Sequence, residues 1–93
     1  MNKCLRISFE AKVPANFLRD FIQKQAQEMR LEGIAQIMES SGRVLIVISG
    51  KKEKTDDFLD ILHKELAEYN IQIVEVEAFV KIKDYRGVFR IIE

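Results

Sequence analysis

The junction Lys12-Val13-Pro14-Ala15-Asn16-Phe17-Leu18-Arg19 joins an alternating apolar segment to a helical one. A helix N-terminus carries backbone N–H groups with no acceptor inside the helix, together with the positive end of its dipole. That combination suits a phosphate or carboxylate. Arg19 falls in the first turn, where its planar guanidinium could fold back onto the same anion with two parallel donors. The residues alone leave two readings open. One is an anion site at this junction, and the other is a solvated Arg19 paired with a neighbouring acid.

The remaining candidates are few. His63 lies between Leu59 and Leu66 and has no Cys or His near it in sequence. It is expected to be a partly buried helix residue rather than a ligand or base. Zinc and iron–sulfur sites need several Cys or His, so neither metal nor cofactor is expected. The four glycines fall at turns and form no nucleotide-binding pattern.

The 15 Lys+Arg balance the 15 Asp+Glu. Nucleic acid and anionic membranes are therefore not expected as partners, because both are bound largely through clustered cations. With 93 residues, 47% of them hydrophobic, the chain is expected to fold as a single domain, 1–93, around one core. Cys4 is the only cysteine, so no internal disulfide can form. No stretch approaches the roughly 20 apolar residues that span a bilayer. Met1 to Arg6 has no apolar run behind its basic residue, so no signal peptide is expected. These features point to a cytoplasmic protein.

The elements that must position the junction follow from hydrophobic period. Leu5, Ile7, Phe9, Ala11 and Val13 alternate with Arg6, Ser8, Glu10 and Lys12, a strand that Pro14 ends. Phe17, Leu18, Phe21, Ile22, Ala26 and Met29 form the stripe of a first helix. Asn16 is expected to be its N-cap and Gly33 its left-handed C-terminal stop. Ile34 to Glu39 reads as a short strand, Ser40-Ser41-Gly42 as a turn, and Val44 to Ile48 as a central strand. Lys51-Lys52-Glu53-Lys54 reads as a charged loop, with a second helix opening at Thr55-Asp56-Asp57. Phe58, Leu59, Leu62, Leu66 and Tyr69 are its apolar face, and Asn70 its stop. Val74 to Ile82 alternates as a fourth strand; after a turn at Asp84-Tyr85-Arg86-Gly87, Val88 to Ile92 forms a short last one.

This order predicts an α+β fold, a two-layer ferredoxin-like sandwich (βαββαβ plus a short terminal strand). Its mostly antiparallel sheet carries both helices on one face. The open face should show Arg6, Ser8, Glu10 and Lys12 beside Leu45 and Val47. It carries no aromatic pair for stacking RNA bases.

Val13 to Arg19 resembles the acylphosphatase signature V-Q-G-V-x-F-R. Leu31-Glu32-Gly33-Ile34-Ala35-Gln36 is similar to that family's G-L-x-G-W-V-x-N, and Gly42-Arg43-Val44 with Gly50 to its G-x-V…G hairpin. Tyr85-Arg86-Gly87-Val88-Phe89-Arg90-Ile91 resembles its closing Y-x-x-F-x-I strand. The likeness runs over nearly the whole chain. It implies metal-free hydrolysis of carboxyl-phosphate anhydrides, with loop amides and an Arg holding the phosphoryl group and an Asn positioning water.

By this resemblance the catalytic residue is Arg19. The anion-binding set is Ala15, Asn16, Phe17, Leu18 and Arg19. Pro14 stands at the Gln position and has no N–H to donate. Counting from Gly33 puts Ile37 at the Asn position, and no Asn occurs between Asn16 and Asn70. Gln36 would point to the opposite face.

Three functions are therefore expected as alternatives. The first is an acylphosphatase-like domain that keeps the anion site but hydrolyses weakly or not at all, binding a phosphate-bearing ligand or a protein partner. The second is an active acylphosphatase cleaving acyl phosphates to carboxylate and phosphate. The third is a structural or oligomerisation module, self-associating through an open-face patch of Leu45, Val47, Ala35 and Ile37.

Overall fold

A computed structural model of the chain describes residues 2–10, 16–38, 42–71, 75–78 and 87–92. Five strands, β1 (Asn2–Glu10), β2 (Glu32–Met38), β3 (Arg43–Lys51), β4 (Glu75–Ala78) and β5 (Phe89–Ile92), form one sheet in the order β4-β1-β3-β2-β5. β1 pairs antiparallel with β3 and β4, and β2 pairs antiparallel with β3; β5 runs parallel to β2. Between β1 and β2 the chain winds first as a π-helix, Leu18–Gln23, and then as α1 (Lys24–Glu28). The longer α2 (Lys52–Glu68) links β3 to β4.

Alternation along the strands places the core. Leu5, Ile7 and Phe9 of β1, Val44, Ile46 and Ile48 of β3, Ala35 of β2 and Phe89 of β5 are buried on one face. They meet Leu18, Ile22 and Ala26 of the first helical segment and Phe58, Leu62 and Leu66 of α2 in a single cluster. The architecture is thus the α+β ferredoxin-like sandwich, with β3 central as its apolar run implied.

Both helices end in the same device. Leu31 N–H donates to Ala26 C=O at 2.8 Å and Arg30 N–H to Gln27 C=O at 3.1 Å, with Arg30 at φ 57. In α2, Ile71 N–H donates to Leu66 C=O at 3.0 Å and Asn70 N–H to Ala67 C=O at 3.1 Å, with Asn70 at φ 58. These paired bonds satisfy carbonyls that a helix end otherwise leaves unpaired. Asn70 is the stop its sequence implied.

Gly33 is not a helix stop; Arg30 takes the left-handed position, and Gly33 lies inside β2. α2 opens at Lys52 rather than Thr55, because Thr55 is buried in the first turn and donates its hydroxyl to Lys52 C=O at 2.9 Å. His63 is exposed rather than partly buried. Ala35 and Ile37 point to the helix side, so they cannot join Leu45 and Val47 in an open-face patch. The expected Ser40-Ser41 and Asp84 to Arg86 turns, and the outer parts of the first and fourth strands, lie outside the described residues.

Candidate anion-binding site

The site is built where β1 hands over to the first helical turn. β1 ends at Glu10, and Phe17 already has helical angles, φ −59 and ψ −45. Ala15, with Lys12, Val13 and Pro14, lies outside the described residues. Asn16, Phe17, Leu18 and Arg19 are brought together as consecutive residues at the helix start.

Phe17 and Leu18 anchor that start. Both are buried, and the Phe17 ring stacks on Phe21 at 5.5 Å and meets Tyr69 edge-on at 5.8 Å. Such aromatic pairs favour offset or edge-to-face geometry, which fixes ring and backbone together. Asn16 and Arg19 are exposed on either side of this anchor. A π-wound stretch widens the turn that carries Arg19, and such stretches recur beside functional sites.

Asn16 does not cap the helix through its side chain. Its carbonyl accepts from Asp20 N–H at 2.7 Å, and its Nδ2 donates to Asp20 Oδ2 at 3.0 Å. Helical winding therefore already includes Asn16, leaving its amide side chain facing the next turn rather than its own first-turn N–H groups. Asp20 is the residue that sequence reasoning missed; its i, i+4 spacing from Asn16 is the signal that marks it. Its carboxylate suits the positive end of the helix dipole and adds negative charge beside any anion bound there.

Position 37 belongs to the same end of the molecule. Ile37 pairs with Val44 and Val44 with Phe9, the residue before Glu10 at the end of β1. The Ile37 side chain packs against the core on the helix side. Gln36 lies on the other face, paired with Leu45 and Ile92.

The groups with displaced protonation lie elsewhere. Asp56 accepts from Lys52 Nζ and Lys3 Nζ, each at 3.0 Å. These bonds hold its carboxyl below the ordinary carboxylate range. The same bond and charge from Asp56 hold the Lys52 ammonium above its usual value. This trio, of which Lys52 is exposed and Lys3 and Asp56 are half-buried, fastens the start of β1 to the start of α2. Among the described residues, no cluster of three His, Cys, Asp or Glu could hold a metal. No helix there is long and apolar enough to cross a membrane.

The arrangement of strand, helix start and parallel closing strand is that of a known class, and comparison with known proteins agrees. The acylphosphatase family model matches residues 11–91. An acylphosphatase from Dehalococcoides mccartyi is 34% identical over 73 residues, covering 78% of this chain and 80% of its own. The solved acylphosphatase from Coxiella burnetii superposes with a TM-score of 0.64 at 25% identity, over 97% of this chain and 92% of that one. Full-length HypF, in a phosphate- and nucleotide-bound form, matches with a TM-score of 0.68 at 23% identity. This chain spans all of its own length but only 12% of HypF. The chain belongs to the acylphosphatase family.

Proposed function

We propose that this domain binds a phosphate-bearing anion at the amides of Ala15, Asn16, Phe17 and Leu18 with the guanidinium of Arg19, and hydrolyses acyl phosphates slowly. The observation that carries this reading is Ile37. It occupies the strand position that family likeness gives to a water-positioning Asn, and it is half-buried, packed against the core. An aliphatic side chain neither donates to nor accepts from water.

The reaction adds water to phosphorus as the bond to the acyl oxygen breaks, giving carboxylate and inorganic phosphate, with the proton leaving to solvent. Arg19 and the loop amides would neutralise charge on the phosphoryl oxygens. Without a carboxamide, nothing at position 37 orients the nucleophile, and loss of orientation commonly costs about a hundredfold. The partner is accordingly a small anion, phosphate or acyl phosphate, bound without metal or cofactor in a cytoplasmic setting.

A second reading, full acylphosphatase activity, is favoured by the 34% identity to a relative of that name. Release of phosphate from benzoyl phosphate separates the two. Slow turnover with phosphate-dependent amide shifts at 15–19 supports the first. Fast turnover abolished by Arg19→Ala establishes the second.

A further inference from the structure

The sheet face turned away from the helices carries an ordered charge pattern. One rung reads Glu77–Arg6–Val47–Ile34–Arg90 from β4 to β5, and the next reads Glu75–Ser8–Leu45–Gln36–Ile92. The β4 edge is therefore acidic, the centre apolar, and the β5 edge basic. Arg6 Nη2 meets Glu77 Oε1 at 3.1 Å, whereas Arg90 makes no ion pair among the described residues. Between Arg6, Ser8, Arg43, Leu45 and Glu75 lies a hollow of about 260 Å³. On the far edge Ile92 is 38% exposed.

We propose that this face binds a second copy of the chain about a two-fold axis running along β3. Charge selects that axis. A two-fold along the strands lays β5 of one copy over β4 of the other, so Arg90 meets Glu77 twice and Ile92 meets the rim of the hollow at Glu75. A two-fold across the strands would instead set the acidic edge on itself and Arg90 on Arg90. Leu45, half-buried, lies on the chosen axis and meets its own counterpart, whereas Val47 is only 7% exposed and adds little contact. Twisted sheets pack this way at about 30°. Arg43 also approaches its counterpart, each with its own Glu10 at 3.9 Å to offset the repulsion. Four inter-strand gaps give a face about 19 Å wide, offering roughly 400 Å² per copy. That area defines a weak dimer.

Sedimentation velocity of the full chain, from about 10 µM to 1 mM, tests this. Wild type is expected to dimerise in the upper part of that range. Arg90→Glu sets an acid over Glu77 at both contacts and Glu77→Arg sets a base over Arg90 at both, so each variant alone should associate at least tenfold more weakly. Mixed one to one, the two variants face opposite charges at both contacts and should recover the wild-type association. Both positions are exposed, and circular dichroism checks that each variant folds. A wild type monomeric at 1 mM leaves the face to a different partner and overturns the proposal. So does a dimer that Arg90→Glu leaves unchanged, or a mixture no tighter than its components.

Discussion

Ile37 and Val44 are paired across β2 and β3, and through Val44 the same rung reaches Phe9 at the end of β1. Position 37 thus sits on the helix side at the sheet end from which the chain departs toward Arg19. A carboxamide there would project to the helix side of the sheet. Ile37→Asn should therefore raise benzoyl phosphate hydrolysis, by about tenfold or more if orientation is what is missing. Exchanging a packed Ile for a polar group should cost about 1–3 kcal/mol of stability, so melting is followed on the same sample. Arg19→Ala should lower hydrolysis in both backgrounds. A folded Ile37→Asn protein without gain would move the defect to the Pro14-Ala15 loop.

Gly33→Ala should be among the most damaging single substitutions in this chain. Gly33 has φ 145, and a Cβ there would enter the carbonyl of Val47 on the neighbouring central strand. That oxygen belongs to backbone, so no side chain can turn away to make room. Losses above about 3 kcal/mol are expected, seen as a lowered urea midpoint or failure to fold. Gly42→Ala, at φ 69 with open space around it, should cost only about 1 kcal/mol.

How the sequence carries the fold is clearest where period alone decides. The two-residue alternation of Leu5, Ile7 and Phe9 and the stripe of Phe58, Leu62 and Leu66 mark strand and helix correctly, because burying one apolar face outweighs every local preference. Period fails where a local rule meets a tertiary contact. Gly33 reads as a helix stop because glycine favours left-handed angles. The chain spends it instead on close approach of β2 to β3, and Arg30 takes the left-handed turn. Thr55 reads as a helix start, yet burial beneath the first turn holds its hydroxyl on Lys52. Ala35 and Ile37 read as surface because their strand contains apolar residues on both faces, so alternation does not say which face is wet. At the site, Arg19 is legible from its spacing. The Asn16–Asp20 contact is hidden because Asn16 reads as a cap for its own first turn rather than as a partner of Asp20.

Phe17 should couple stability to anion binding. It is 5% exposed and packs against Phe21 and Tyr69, so Phe17→Ala removes the ring contact between the first helical turn and the end of α2. Truncating a buried Phe typically costs about 3–5 kcal/mol. Tyr69→Ala, which removes only the edge contact of a residue 45% exposed, should cost about 1 kcal/mol. Thermal melts rank the two, and phosphate titration should show weaker binding to a folded Phe17 variant.

Acid should loosen the tie between β1 and α2 before neutral chemistry is touched. Lys52 and Lys3 hydrogen-bond the Asp56 carboxylate and depress its folded pKa below the ordinary value of 3.8. A depressed carboxyl contributes stability that is fully present above its unfolded pKa and lost as pH falls through the folded one. The window therefore opens just below pH 3.8 and extends downward. Lys52 has the opposite sign: its folded pKa lies above 10.5, so its share is present below that value and lost at more alkaline pH. Asp56→Asn should flatten the acid limb of a stability–pH profile and the alkaline limb together, since the Lys52–Asp56 bond is the largest cause of both shifts. Because Lys52 is exposed and Lys3 and Asp56 are only half-buried, added salt should shrink the difference between wild type and variant. Urea titrations at about pH 3, 7 and 11, with and without about 0.5 M NaCl, measure it. Equal acid limbs in wild type and Asp56→Asn would show that the trio contributes nothing to folding.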